Sequence, residues 1–284
     1  MGGICVPCFD GGRLAHDLAA AAGQLLLKLR AGGGDPEALR DDGDRLSHEF
    51  LAGELARQRP DDAVLSEEGV DDLARLSADR VWIVDPLDGT REFGEPGRTD
   101  WAVHVALWEL GELTAGAVAL PAQGKVLSTV GSWSGPEIQS PVGSAAQFGS
   151  AAQFGSAARV GSAAQFGQRQ LRLVVSRTRP PDFAPRLAGQ IGAALLPLGS
   201  AGAKAAAVIC GDADAYVHTG TLHEWDSAAP VAVARAAGLH ASRIDGSELA
   251  YNQAEPWLPD LLICPVALAD TLLGAISSAM HRQE

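Results

Sequence analysis

The chain has 284 residues, 46% of them hydrophobic, so it can bury a sizeable core and most of its length is not disordered. Its 35 acidic and 22 basic residues give a net charge of −13, which disfavours a nucleic-acid polymer or an anionic membrane as the main partner. No apolar run approaches the roughly 20 residues of a membrane helix. With no signal-peptide pattern and only four scattered cysteines, we expect a cytoplasmic protein without membrane insertion.

The first elements are helical. Apolar residues recur at every third or fourth position over residues 13–30, which predicts an amphipathic helix. A second helix is predicted from about Asp44 to Arg59, with Asp44 as its N-cap. Upstream of both, Cys5 and Cys8 form a C-x-x-C pattern, which is either an incidental pair or, less favoured, a redox or zinc motif.

Strands follow the helices. Residues 81–84 predict a short buried strand that ends at Asp85. Residues 101–108 and 113–120 predict two strands joined by the four-residue loop 109–112, and residues 125–130 predict a third.

A repeat of the hexapeptide Gly-Ser-Ala-Ala-Gln-Phe and its variants occupies residues 143–167. Small residues dominate it, so we predict a flexible insert, with a short β-solenoid stack as the less favoured alternative. We therefore divide the chain into an N-terminal α+β part (1–142), the insert (143–167) and a C-terminal α/β part (168–284).

Strands and helices alternate in the C-terminal part, which indicates an α/β arrangement. The predicted strands cover residues 171–176, 215–218 and 261–264, and the predicted helices cover residues 182–194, 203–210, 225–237 and 266–281.

The most informative segment is Asp85-Pro86-Leu87-Asp88-Gly89-Thr90. Because Pro86 cannot continue a strand ladder, the chain must bend, and Asp85, the Leu87 carbonyl and Asp88 can converge. An all-oxygen cluster suits Mg²⁺, and Gly89 and Thr90 can receive a phosphate. The alternative is an Asx-turn in which both aspartates accept local backbone hydrogen bonds.

Two other segments join this one in a family resemblance. Three segments resemble the motifs of the inositol monophosphatase-like phosphatases: residues 85–90, Ser66-Glu67-Glu68-Gly69 and Glu224-Trp225-Asp226-Ser227-Ala228-Ala229. The resemblance implies an α/β (α+β) fold with layers in the order α-β-α-β-α. Thr90-Arg91-Glu92-Phe93 resembles the branch of CysQ-type 3′(2′),5′-bisphosphate nucleotidases.

The resemblance implies two to three Mg²⁺ ions. The first is held by Glu67, Asp85 and the Leu87 carbonyl, and the second by Asp85, Asp88 and Asp226. A third ion lies near Glu67 and the pair Asp44 and Thr90. This ion helps to generate the attacking hydroxide. The residues implied to bind substrate are Glu67, Leu87, Asp88, Gly89, Thr90, Arg91, Ser200, Lys204 and Asp226.

The implied reaction is hydrolysis of 3′-phosphoadenosine 5′-phosphate to AMP and phosphate, with a homodimer as a possible assembly. Alternatives are an inositol or fructose phosphatase on the same site and, less favoured, a sensor that binds but does not turn over. Ser200 and Lys204 are expected in the leaving-group pocket, unless Lys204 is a surface residue. Arg91 is a second cationic candidate, unless it pairs with Glu92 or Glu95.

The segment before Asp44 departs from the family pattern, and we expect an altered loop there in which Asp41 and Asp42 are solvated. Histidines 48, 104, 218 and 223 show no metal-ligand spacing and are expected to be structural. Trp82, Trp101 and Trp225 are expected to be core residues.

Overall fold

The computed structural model describes residues 11–130 and 170–281. The N-terminal part contains α1 (Gly11–Ala31), α2 (Pro36–Gln58), β1 (Ala63–Ser66), a 3-10 turn (Leu73–Ser77), β2 (Arg80–Asp88), α3 (Thr90–Gly94), β3 (Ala102–Glu109), β4 (Glu112–Leu120) and β5 (Lys125–Ser128). The C-terminal part contains β6 (Arg172–Ser176), α4 (Ala184–Ile191), β7 (Ala194–Leu198), α5 (Ala201–Ile209), β8 (Ala215–His223), α6 (Glu224–Ala236), β9 (Leu239–Ser242), β10 (Trp257–Pro265) and α7 (Ala269–His281).

The strands form two sheets. The first has the order β1-β2-β3-β4-β5, in which only the β1–β2 pair is parallel. The second has the order β7-β6-β8-β10-β9, in which β6 is parallel to both of its neighbours and β10 is antiparallel to both of its own. Both sheets are therefore mixed.

The elements form five layers, with one core under each outer pair of helices and a single middle core that surrounds the helices between the sheets. Helices α1 and α2 cover the outer face of the first sheet, α5 and α6 lie between the sheets, and α4 and α7 cover the outer face of the second. Adjacent residues of a strand point to opposite faces. Trp82 accordingly packs in the outer core beside α1 and α2, and Ile83 packs in the middle core. In the second sheet, Leu262 packs in the outer core beside α4 and α7, and Ile263 packs in the middle core. This confirms the expected layered α/β fold.

The start of α2 was predicted wrongly. The helix begins at Pro36, with Asp35 as the N-cap: its Oδ2 accepts hydrogen bonds from the backbone N–H groups of Glu37 (3.0 Å) and Ala38 (3.1 Å). Proline at the first helical position is favourable because its missing N–H has no partner there in any case. Asp44 therefore lies inside the helix, and the predicted loop before it does not exist.

Asp41 and Asp42 are exposed as predicted, but on the surface of α2, where Asp42 pairs with Arg45 (3.0 Å).

Other boundaries also differ. The β3–β4 connection contains two residues rather than four, because Leu110 (φ 49°) and Gly111 (φ 103°) form a tight left-handed turn that matches the strand twist. The helix predicted over 182–194 ends at Ile191, since Gly192 takes a left-handed conformation (φ 66°) and allows β7 to begin.

Several predictions lie outside the described residues: the Cys5/Cys8 pair, the repeat and the domain boundaries at 142 and 168. The domain division stays a prediction. No helix in the described ranges is long and apolar enough to cross a membrane.

Candidate metal and phosphate-binding site

The acidic motif lies at the end of β2, where the strand is irregular. The register between β2 and β3 shifts between Asp85, which faces His104, and Asp88, which faces Ala102. Pro86 lies in this bulge because it has no N–H to donate to the ladder. The Ser47 hydroxyl of α2 donates to the Pro86 carbonyl (2.6 Å), which anchors the bulge from the other side.

Three carboxylates meet beyond the bulge. Oxygen atoms of Asp85, Asp88 and Asp226 all lie within 4.8 Å of one another, and the first two residues are buried. Asp226 comes from the first turn of α6, where its Oδ2 accepts a hydrogen bond from the His223 N–H (2.7 Å). Asp85 Oδ1 accepts a local hydrogen bond from the Leu87 N–H (3.0 Å), as in the alternative Asx-turn, but Asp88 accepts from distant backbone groups instead, so the alternative holds for Asp85 alone.

Glu67, Asp85 and Asp226 have raised pKa values, because burial and the neighbouring negative charges make it unfavourable for all of them to be ionised at once. Burial, followed by the charge of Glu67, raises the pKa of Asp85 well above its usual value. Glu67 is exposed as a whole residue, but desolvation of its carboxyl group, followed by the charge of Asp226, raises its pKa to about 7. Burial and then Asp88 raise the pKa of Asp226 to about 6. A buried group of like charges with oxygen ligands only is what a hard divalent cation neutralises. The residues therefore fit such an ion.

Asp88 is the exception in this cluster. Burial raises its pKa, but His104 and the backbone at the start of α5 more than offset this, so its pKa lies below the usual value. Its two oxygens accept hydrogen bonds from the N–H groups of Ala201 (3.1 Å) and Gly202 (2.6 Å). The first turn of α5 thus stabilises the charge of Asp88.

A hydroxyl–carboxyl pair lies next to the cluster. Thr90 Oγ1 is 3.3 Å from Asp44 Oδ1 and 3.0 Å from the Leu87 carbonyl oxygen, and its single proton can be donated to either. Burial and then Glu68 raise the pKa of Asp44 to about 7. A half-buried carboxyl group with a pKa near neutrality is suited to accept a proton.

A cleft of about 260 Å³ opens beside Asp88 and Asp226. Gly89, Thr90 and Arg91 line one side of it. The other lining residues are Glu92, Ser176, Thr178, Arg179, Gly199, Ser200, Ala201, Lys204, Tyr216, His218, Thr221 and Leu222.

The two residues predicted for the leaving-group pocket both line this cleft and both are buried. Ser200 is the N-cap of α5, and its Oγ accepts a hydrogen bond from the Ala203 N–H (2.9 Å). Lys204 is 3% exposed, so it is not a surface residue; its Nζ donates to the Gly199 carbonyl. Burial lowers the pKa of Lys204, against the opposing effect of Asp88.

Arg91 is exposed at the cleft, and the glutamates beside it have another partner. Arg177 binds Glu92 Oε1 (2.6 Å) and Glu95 Oε1 (2.9 Å) through Nη2. The salt bridge considered for Arg91 with these glutamates is therefore formed by Arg177.

Sequence reasoning missed four further residues. One is Arg179, which follows β6 and lines the cleft. Tyr216 and His218 both line the cleft because they are two residues apart and lie on the same face of β8. The sequence predicted this strand only over residues 215–218. His104 is fully buried, with Nε2 3.1 Å from Asp88 Oδ2. Burial lowers its pKa, but Asp88 raises it more, so its pKa is above the usual value. Nothing in the spacing of the histidines indicates this contact.

The layered fold and the carboxylate cluster place the chain among α/β proteins built around a candidate cation site. Residues 13–280 match the inositol monophosphatase family, and the chain belongs to that family. It is 47% identical to the 3′-phosphoadenosine 5′-phosphate phosphatase of Mycobacterium leprae (strain TN), over 93% of this chain and 92% of that protein.

Two further comparisons agree. The protein of the same description in Mycobacterium tuberculosis (strain CDC 1551 / Oshkosh) is 50% identical over 91% of this chain and 90% of its own length. The crystal structure of CysQ from Bacteroides thetaiotaomicron, a bacterial member of the family, superposes with a TM-score of 0.68 at 26% identity, over 91% of this chain and 98% of that one. The resemblance to the inositol monophosphatase-like phosphatases is confirmed.

Proposed function

We propose that the protein is a Mg²⁺-dependent phosphatase that hydrolyses the 3′-phosphate of 3′-phosphoadenosine 5′-phosphate to give AMP and phosphate. The observation that carries the proposal is the cluster of Asp85, Asp88 and Asp226 at one end of a cleft with cationic side chains. The identity of 47–50% with proteins described as phosphatases of this substrate supports the choice of substrate.

The proposed ligands of two to three Mg²⁺ ions are Glu67, Asp85, the Leu87 carbonyl, Asp88 and Asp226. A Mg²⁺ ion held by these residues would neutralise phosphate charge and lower the pKa of the attacking water. Asp44 accepts the proton of that water, and the Thr90 hydroxyl, within hydrogen-bonding reach of Asp44, orients it. No covalent intermediate with the protein is required.

The leaving group is proposed to occupy the rest of the cleft. Arg91 and Arg179 are exposed cations there, suited to the second phosphate, and the buried Lys204 adds positive charge. Burial and then Lys204 lower the pKa of His218 to about 4, so its neutral imidazole and the Tyr216 hydroxyl offer hydrogen bonds to an uncharged nucleoside. Ser200 and the backbone N–H groups of Gly89 and Thr90 complete the proposed substrate contacts.

Initial rates with saturating Mg²⁺ test the proposal. We expect kcat/KM for 3′-phosphoadenosine 5′-phosphate to exceed the values for inositol 1-phosphate and fructose 1,6-bisphosphate, and EDTA to abolish all three. Equal or higher values for a sugar phosphate would contradict the choice of substrate. Binding of Mg²⁺ and nucleotide without phosphate release at any Mg²⁺ concentration would indicate a sensor instead.

A cytoplasmic location and a homodimer stay predictions. The few scattered cysteines support the first, and sedimentation analysis would test the second.

A further inference from the structure

His104 is a buried polar residue on an otherwise apolar strand face. It lies on β3 between Ala102 and Ala106, which point into the core between the two sheets. The residue is 0% exposed. A buried imidazole lowers stability unless its nitrogens have polar neighbours. The polar neighbours of His104 therefore indicate what this residue does.

Each ring nitrogen of His104 faces a different segment of the acidic site. Nδ1 lies 3.1 Å from the carbonyl oxygen of Trp225, a geometry in which the nitrogen donates. Nε2 lies 3.1 Å from Asp88 Oδ2. Trp225 directly precedes Asp226 in the first turn of α6. One ring therefore bridges the end of β2 and the start of α6, the two elements that supply Asp88 and Asp226.

Gly202 shows that a third element is fitted to the same ring. A Cβ atom at Gly202 would lie 2.3 Å from His104 Nε2, a distance that real contacts do not reach. The absence of a side chain allows α5 to approach, and its Gly202 N–H donates to Asp88 Oδ2 at 2.6 Å. The ring, the glycine and the carboxylate thus form one packed unit.

We infer that His104 is a positioning residue that sets the separation and orientation of Asp88 and Asp226 for cation binding. This inference rests on the proposed metal site. Residues that hold metal ligands from outside typically change metal affinity by about 10–100-fold when they are replaced.

The test is Mg²⁺ binding by titration calorimetry without substrate, on the full chain. We expect His104→Leu, which removes both polar contacts, to weaken Mg²⁺ binding by about 10–100-fold. His104→Gln keeps an amide donor, and we expect it to recover part of the affinity. Gly202→Ala, which displaces the ring or α5, is expected to weaken binding as His104→Leu does.

His16→Leu is the matched control. His16 is also a buried histidine (3% exposed), but it lies on α1, on the outer side of the first sheet. We expect it to lower the unfolding temperature without changing Mg²⁺ affinity.

A folded His104→Leu variant with unchanged Mg²⁺ affinity would overturn the inference and reduce His104 to a packing residue. If this variant does not fold, unchanged affinity in both His104→Gln and Gly202→Ala overturns it equally. Absence of Mg²⁺ binding by the unmodified protein would overturn the proposed metal site, and the inference with it.

Discussion

Asp88 interacts with more parts of the site than any other carboxylate of the cluster. It is a proposed ligand, it accepts two N–H groups of α5, and it faces His104. Its charge stabilises the helix that carries Ser200 and Lys204, and in the proposed site it would also bind the cation. Substitution of this residue tests both interactions together.

We expect Asp88→Asn to lower kcat by about three orders of magnitude, the size of the several kcal/mol that a bound metal contributes to the transition state. The measurement is phosphate release with a Mg²⁺ titration. Asp62→Asn is the control, because Asp62 is a buried carboxylate that accepts from Trp82 Nε1 (3.0 Å) and pairs with Arg59, away from the cluster. A rate near normal in Asp88→Asn would refute the ligand assignment.

Thr90 can be tested with a nearly isosteric change. Thr90→Val removes the hydroxyl beside Asp44, and we expect kcat to fall by about 10²-fold or more with little change in KM, as for loss of a proton-transfer step. Thr90→Ser should retain most of the rate. Thr114→Val removes a surface hydroxyl bonded to Glu109 and should have no effect on the rate. Equal loss of rate in Thr114→Val would show that the effect is general.

At the scale of elements, the packing of α2 against α3 decides where Asp44 lies. Gly43 faces this contact: a Cβ atom there would lie 2.8 Å from Phe93 Cε1 and 2.9 Å from Leu87 Cδ2. The close approach of the two helices brings Asp44 within reach of Thr90. A larger residue at position 43 should therefore disturb the pair without touching it.

Gly43→Ala and Gly53→Ala form a matched pair within one helix. Alanine favours a helix by about 1 kcal/mol over glycine, and at Gly53, with no atom within 4 Å of the new Cβ, we expect that gain in the free energy of unfolding. At Gly43 overpacking costs about 1–3 kcal/mol, which offsets or exceeds the same helix gain, so we expect lower stability than for Gly53→Ala and a lower kcat. Urea unfolding and initial rates measure the two effects. Similar results for both variants would contradict the packing argument.

At the scale of the whole molecule, the acidic cluster makes stability depend on pH and on metal. The pKa of Asp85 is well above its usual value, that of Glu67 is about 7 and that of Asp226 about 6. As pH rises from the ordinary values towards these, the unfolded chain releases protons that the folded protein retains. Folding of the metal-free protein therefore weakens over this range and levels off above the folded-state values.

We expect the unfolding temperature in EDTA to be lower at about pH 7.5 than at about pH 5. Mg²⁺ should raise it more at the higher pH, because it binds ionised carboxylates of the folded state. Thermal unfolding across this range with and without Mg²⁺ is the measurement, and Asp85→Asn, which removes one buried acid, should flatten the EDTA curve. An EDTA curve that rises with pH would contradict the raised pKa values.

Local patterns were sufficient for much of this protein. The apolar periodicity of α1 and the run of strand-forming residues in β3 are properties of neighbouring residues, so these elements could be predicted from the sequence. Glu67, Asp85 and Asp226 were singled out by the motifs around them. The family resemblance, since confirmed, then implied the order of the layers, which periodicity alone does not provide.

Only the tertiary structure decided how distant elements meet. Asp44 was predicted as the N-cap of α2 because the cap at Asp35 was overlooked, and its approach to Thr90 depends on Gly43 packing against α3. Lys204 and His104 carry no local sign of their burial, since both lie between sheets formed by different halves of the chain. The sequence by itself determined which carboxylates the site contains. Packing between the sheets determined their distances, their pKa values and the histidine beside them, because these depend on atoms far apart along the chain.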